Sequence, residues 1–355
     1  MTHLRRLLLG LLVATAVLGL VELGARLVLG PPPPPVLVAT GLGPSQRYLT
    51  AEGDALRAQY QVVRPVAPFT REKAGPRVVF VGGSAVHLGH YENRVEWPAR
   101  TGALLGVEAV NLGAPAMDSF DLVRVVQELE DVEHDALVVY TGHNDFGNAY
   151  FQERFGGLSG GARARARRLL EHLQLYTQLR LMVQQAPTPR MGQFERAPIT
   201  PEARQATLDA LRANLDRIRW MCAQRDVPMV LGIPAAKLLE QPIATCNEPG
   251  CPRPMWKDGM NLRRKDPAAA AARIREAHDS DWHALRAPTV ALDLMRAWAR
   301  DNDVLLVDVE ADLPREPGLD VPASSHFMDL VHLAPDGHEA TAQLMAPALE
   351  PLLTP

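Results

Sequence analysis

Four short segments of this 355-residue chain carry side chains that can do acyl chemistry together. The first is Val81-Gly82-Gly83-Ser84-Ala85-Val86. A serine just after an apolar run, preceded by glycines, sits on a tight turn with its hydroxyl exposed and its N–H able to face the same way. The second is Asn111-Leu112-Gly113-Ala114-Pro115, where a glycine lets the backbone approach a ligand and offer its N–H. The third is Tyr140-Thr141-Gly142-His143-Asn144-Asp145-Phe146. The side-chain amide of Asn144 suits an oxyanion hole, because it donates to the charge that develops on a tetrahedral intermediate. Asn and Asp at this place also suit a helix N-cap. The fourth is Asp329-Leu330-Val331-His332-Leu333-Ala334-Pro335-Asp336-Gly337. A carboxylate three residues before a histidine can hold the imidazole in one tautomer and stabilise the imidazolium. Each segment alone has an ordinary reading as a turn, a cap or a surface loop. The order Ser, Gly, Asn, Asp-x-x-His is what points to a hydrolytic site.

The elements around these segments are legible in outline. Short apolar runs at Arg77–Val81, Val107–Asn111, Ala136–Thr141, Pro228–Ile233 and Val304–Val309 read as buried strands. Helical patterns lie between them at 93–105, 119–132, 202–225 and 288–301, and Pro335–Leu352 forms a last helix. Pro335 fits the first turn of that helix. Strands alternating with helices imply a parallel, three-layer α/β sheet, with the site beyond the carboxyl ends of the strands. Three of the four segments fall at such ends and the fourth just before the last helix. Two stretches exceed the minimal pattern: 146–200, with paired glycines and the Arg-rich run Arg163 to Arg168, and 235–285, with Pro, Cys and Trp in irregular order. Both leave the carboxyl end of a strand, so they read either as a cap over the site or as surface decoration.

The four segments resemble the blocks of the SGNH hydrolase family, also called GDSL-type esterases and lipases. The resemblance covers about residues 76–352 and places the blocks on Ser84, Gly113, Asn144 and Asp329/His332. Finer details agree: Asn111-x-Gly113 with Ser119 following, Gly142-x-Asn144-Asp145, and the ending His332-Leu-x-Pro-x-Gly337. The run YTGHNDF and the segment Asn261-Leu262-Arg263 look most like membrane-associated bacterial members of the family. One position departs, since the block that names the family is Gly-Asp-Ser and Gly83 stands at its middle place. The resemblance implies a flavodoxin-like three-layer α/β/α sandwich with a five-stranded, mostly parallel sheet. It implies a serine esterase with Ser84 as nucleophile, His332 as general base and Asp329 as its orienting acid. The oxyanion hole would be the N–H groups of Ser84 and Gly113 and the amide of Asn144. It implies no metal and no organic cofactor.

Other polar residues near these blocks have weaker claims. His87 and His90 with Glu92 form an H-x-x-H-x-E pattern, read as residues of the cleft entrance rather than metal ligands. His87 and His143 are candidate substrate contacts, with packing an equal reading for His143. His338 reads as a surface residue of the last helix. Cys246 and Cys251 flank a Pro-Gly turn and either close a small disulfide loop or stay reduced, while Cys222 reads as a buried thiol.

The N-terminus differs from the rest. Arg5 and Arg6 precede an uncharged, mainly apolar run from Leu7 to Val21, and the segment to Leu29 would rise about 34 Å as a helix. Residues 1–30 are therefore expected to be an uncleaved signal anchor, a single-pass transmembrane helix that holds the rest outside the inner membrane. A cleaved signal peptide is the competing reading. Pro31 to Pro35 would be a stiff spacer, and residues 31–75 a linker with one helix near Ala51–Gln61. Residues 76–355 would be a single enlarged catalytic domain. A net charge of −4 gives no basic bias for nucleic acid. The expected partner is a small-molecule, glycan or lipid ester. An acyltransferase using the same residues, or a non-catalytic glycan-binding protein that kept the fold, are the alternatives.

Overall fold

The computed structural model describes residues 2–29, 48–58, 68–87, 96–155, 170, 173–176, 200–244, 246, 248, 250–281 and 285–353; in 2–9, 11–12, 29 and 150–155 it describes the backbone alone. The chain divides into two compact units, Met1–Gln46 with Leu158–Glu195, and Arg47–Gly157 with Arg196–Pro355. Residues 47–75 group with the second unit, and 158–195 with the first.

The first unit contains α1 (Thr2–Leu29). Glu22 accepts from Arg26 Nε at 2.7 Å one turn on. The same carboxylate accepts the N–H groups of Gln174 at 2.7 Å and Leu175 at 2.9 Å. It thereby satisfies donors that a helical turn leaves open at its start. Among the described residues no helix is long and apolar enough to cross a membrane, so the expected transmembrane span is not found there. The proline spacer and the run Arg163 to Arg168 lie outside the described residues.

The second unit opens with a small antiparallel sheet, β1 (Leu49–Glu52), β2 (Ala55–Ala58) and β3 (Phe69–Thr70). The helix expected near Ala51–Gln61 is therefore corrected to a hairpin as far as Ala58. Its turn is Gly53-Asp54, with Gly53 at φ 63°, a backbone state open to glycine at no steric cost. Leu56 and Ala58 point inward while Arg57 pairs outward with Glu52, an alternation that a strand places on two faces.

The main sheet has five strands: β4 (Arg77–Gly82), β5 (Glu108–Asn111), β6 (Ala136–Tyr140), β7 (Met229–Ile233) and β8 (Leu305–Asp308). Their order is β5-β4-β6-β7-β8, every neighbour pair parallel. The order reverses at β4, so a crevice opens beyond the carboxyl ends of β4 and its neighbours. Every residue of β4, β6 and β7 is buried. Covering on both faces explains why these strands read as unbroken apolar runs.

Helices α2 (Trp97–Leu105) and the final α10 (Pro335–Leu353) pack together. On a second group, α3 (Ser119–Gln127) and α4 (His143–Phe155) pack on α5 (Pro201–Ala223). Between β7 and β8 run α6 (Pro252–Leu262), α7 (Pro267–Asp279) and α8 (Thr289–Asp301), with the short α9 (Val309–Asp312) after β8. The second insertion is thus mainly the α6–α7 pair, held by Ala236, Leu238, Ala270, Ala271 and Ile274. A Cβ at Gly259 would lie 2.7 Å from Ile274 Cγ1, so that glycine is what lets the pair approach.

Candidate active site

Ser84 follows β4 on a turn in which Gly83 O accepts the N–H groups of Val86 at 3.0 Å and His87 at 3.1 Å. The turn is held from beneath by Trp97, which is fully buried and donates from Nε1 to Ala85 O at 3.1 Å. The indole packs edge-on to Phe80 at 5.3 Å and against Tyr140 at 5.4 Å. Its backbone N–H donates to His338 Nδ1 at 3.2 Å. His338 is therefore an interior residue, not the surface one expected. Burial, then the charges of Arg100 and His332, push its pKa down to about 4.

Ser84, Gly83, Met117, Gly142, His143 and Asn144 line one pocket. Asn144 stands in the first turn of α4, after Gly142 at φ 117°. Its Nδ2 donates to Met117 O at 2.7 Å. An amide nitrogen carries two hydrogens, so a second remains for a ligand in the pocket. A Cβ at Gly83 would lie 2.3 Å from this nitrogen. That accounts for glycine at the middle place of the block, since the Asn144 amide occupies the space of any side chain there.

Behind Asn144 lies a buried polar network. Asp145 accepts from Ser119 N at 3.2 Å and from the Thr141 hydroxyl at 3.3 Å. Asp118 caps α3 through the N–H groups of Phe120 and Asp121, and Asn148 donates both to Asp118 at 2.8 Å and to Ala116 O at 3.0 Å. Burial raises the pKa of both carboxyls above the usual range. The network fixes the loop that presents Met117 O. Ala116 in that loop has φ 60°, uncommon for a residue with a side chain.

Gly113 stands on the loop after β5. Its N–H donates to Asn111 Oδ1 at 2.9 Å, while Asn111 Nδ2 donates to Val86 O at 2.9 Å. It does not line the Ser84 pocket; Met117 does. Glycine is needed there for packing, because a Cβ would lie 2.8 Å from both His87 N and Val86 Cβ. Tyr48, fully buried at the edge of the hairpin, donates from its hydroxyl to Leu112 O at 2.8 Å and steadies the same loop. Tyr48, Trp97 and Met117 escape a sequence reading. Each acts through a contact distant in the chain.

Asp329 and His332 form a pair. His332 Nδ1 lies 2.7 Å from Asp329 Oδ2. Asp329 Oδ1 accepts the N–H groups of Val331 at 3.0 Å and His332 at 2.9 Å. Burial works against the Asp329 charge. The His332 ring and the two N–H groups outweigh it and hold the carboxyl below the usual carboxylate range. The segment is anchored by Met328 N donating to His332 O at 2.9 Å and Lys237 N donating to Leu330 O at 2.9 Å. Phe327 and Leu333 sink into the same core as Ala85 and Val86. The charges of His332 and Asp329 bear on the titration of His143, a residue of the Ser84 pocket wall.

His143 braces the pocket wall that it lines. Its Nε2 donates to Ala235 O at 3.1 Å and its Nδ1 accepts from Ala287 N at 3.1 Å. Burial pushes its pKa down to about 3, so the ring stays neutral. His87 is buried rather than at a cleft entrance, and His90 and Glu92 lie outside the described residues. Among the described residues no group of three or more His, Cys, Asp or Glu side chains is arranged to hold a metal ion. Cys246 and Cys251 are disulfide-bonded with Cα atoms 5.6 Å apart, and Cys222 is a buried free thiol. The second insertion supplies the Ala235 carbonyl to this brace; residues 156–169 and 177–199 of the first insertion lie outside the described residues.

No protein-family model matches the chain, and no curated protein matches it. Several solved structures are similar in layout. A GDSL-like lipase from Bacteroides thetaiotaomicron is 14% identical, with a TM-score of 0.41 over 78% of this chain and 89% of its own. An acetyl xylan esterase is 14% identical, with a TM-score of 0.40 over 77% of this chain and 99% of its own. A carbohydrate acetylesterase family member from Sinorhizobium meliloti is 11% identical, with a TM-score of 0.36 over 78% and 99%. Similarities of this size assign neither activity nor substrate to this chain.

Proposed function

We propose that the protein is a serine hydrolase of acyl esters. The observation that carries this reading is the joint presence of Ser84 and the Asn144 amide on one pocket wall, together with the Asp329–His332 pair at 2.7 Å on the segment before the last helix. With Nδ1–H committed to Asp329, Nε2 of His332 is the basic nitrogen. It takes the proton of the Ser84 hydroxyl as the oxygen attacks the ester carbonyl. The negative charge passes to the carbonyl oxygen, where the Ser84 N–H and the second hydrogen of Asn144 Nδ2 stabilise it. Collapse expels the leaving alcohol, which takes the proton back from His332. Water then repeats the sequence on the acyl-enzyme and releases the acid. Gly113 has no part in this account, because its N–H is engaged by Asn111.

The test is covalent labelling by a fluorophosphonate serine probe, together with turnover of 4-nitrophenyl acetate. The wild type labels and turns over, and Ser84→Ala does neither. A folded wild type that fails to label sinks the reading.

Export is part of the proposal. Arg5 and Arg6 ahead of the uncharged run Leu7 to Val21 support it, as does the Cys246–Cys251 disulfide, a bond that persists in oxidising compartments. A C-terminal alkaline phosphatase fusion is expected to be active in bacterial cells. An inactive fusion beside an active green fluorescent one reverses the assignment.

A further inference from the structure

Beside the Ser84 pocket lies a second recess of about 300 Å³, part of it open to solvent. The two share Pro234. Its walls include Arg275, Arg286 and Glu310. Arg286 is 6% exposed, which is unusual for a guanidinium. Its Nε donates to His278 Nδ1 at 3.1 Å, while His278 Nε2 donates to Leu238 O at 2.7 Å. Among the described residues, the side chain that Arg286 bonds is thus an imidazole acting as acceptor, not a carboxylate. Its Nη2 is buried with no hydrogen-bond partner among the described residues.

The carboxylate nearest in charge is already shared. Glu310 Oε1 accepts from Arg275 at 2.9 Å and Oε2 from Arg296 at 2.8 Å. Asp308 accepts from Arg296 as well, at 2.6 Å and 3.1 Å. Arg275 and Arg296 are thus held by Glu310 and Asp308, and the charges of Asp279 and Asp320 also bear on Arg275, whereas no carboxylate among the described residues bonds Arg286. A buried cation short of a partner is costly, and an anion in the recess relieves that cost. Burial and the neighbouring Arg275 charge also lower the Arg286 pKa, to about 9.

The recess is also mechanically continuous with the site. Ala287, next in the chain, donates its N–H to His143, the neighbour of Asn144. Given the ester-hydrolase reading, we propose that this recess is an anionic subsite. Arg286 there receives a carboxylate or phosphate carried by the ester substrate beyond its scissile bond.

Two measurements test it. The first does not depend on turnover. Sodium glucuronate and inorganic phosphate are titrated calorimetrically into the full chain carrying Ser84→Ala, with and without Arg286→Gln. Saturable binding of at least one anion, lost on Arg286→Gln and partly kept in Arg286→Lys, supports the subsite. No binding of either anion, or equal binding after Arg286→Gln, overturns it. The preferred anion separates a uronate-type from a phosphate-type substrate. The second compares kcat/KM for a methyl O-acetyl-glucuronide and the matching neutral glucoside. The wild type is expected to prefer the charged ester by about tenfold or more, a ratio that falls towards about one in Arg286→Gln. Where glucuronate is the anion bound, equal rates in the wild type overturn the subsite without using any variant; where phosphate is preferred, the same comparison is made with a phosphorylated and a neutral acetyl ester. Anion binding with no hydrolysis of either ester keeps the subsite and sinks the hydrolase reading instead.

Discussion

Gly83 and Asn144 are sterically locked: a Cβ on the glycine would lie 2.3 Å from the Asn144 amide nitrogen and 3.0 Å from Met117 O, the carbonyl that nitrogen donates to. One of those obstacles is backbone, so the movable partner is the amide. Gly83→Ala is expected to displace it. Loss of a single oxyanion donor costs about 10²–10³-fold in kcat, and Gly83→Ala should approach that cost with KM little changed. Asn144→Ala should reach it. The double variant should be no slower than Asn144→Ala alone, because both changes act on one donor. Additive losses in steady-state kinetics would separate the two residues.

Asp329 holds His332 through one ring bond, and its other oxygen through two backbone N–H groups. Asp329→Asn keeps the loop's acceptor oxygen but lets the amide donate to the ring, which reverses the tautomer at Nδ1. The expected loss is about 10²–10⁴-fold in kcat. The loop should stay folded, as read by an unchanged near-ultraviolet dichroism spectrum. A kcat within threefold of wild type removes Asp329 from the reaction.

His338 predicts a pH effect on stability. Its folded pKa is lowered to about 4, against about 6.5 for a free imidazole. Below pH ~6.5 the unfolded chain takes up a proton that the folded one refuses until about pH 4. Stability is therefore present above pH ~6.5 and is lost as the pH falls towards 4, by up to about 1.4 kcal/mol per unit from this group. His338→Asn, whose side-chain oxygen can still accept from Trp97 N, should show a shallower acid slope in denaturant unfolding. Parallel slopes for the two proteins would falsify the assignment.

The central sheet was legible because its strands are covered on both faces and so carry continuous apolar runs. All five expected strands appear within a residue of their predicted limits. The hairpin from Leu49 to Ala58 was not, because each strand is four residues long and only Leu49, Leu56 and Ala58 face inward. Among the site residues, Ser84 and Asn144 share a pocket and Asp329 meets His332 as their spacing implied. Gly113 misled because the fate of an N–H depends on a side chain two residues away, that of Asn111. His87, His143 and His338 misled in another way. All three are buried, a property of packing that spacing does not carry.

The polar frame of the pocket is held by main-chain atoms: Asn144 leans on Met117 O, and His143 spans Ala235 O and Ala287 N. None of those three bonds needs the side chain at 117, 235 or 287. A substitution at 117 changes the wall while the amide and the brace keep their partners. Of the three residues, only Met117 lines the Ser84 pocket, so position 117 is where the wall can be reshaped while Asn144 keeps its partner. Such robustness is what a laboratory selection for new ester substrates would exploit.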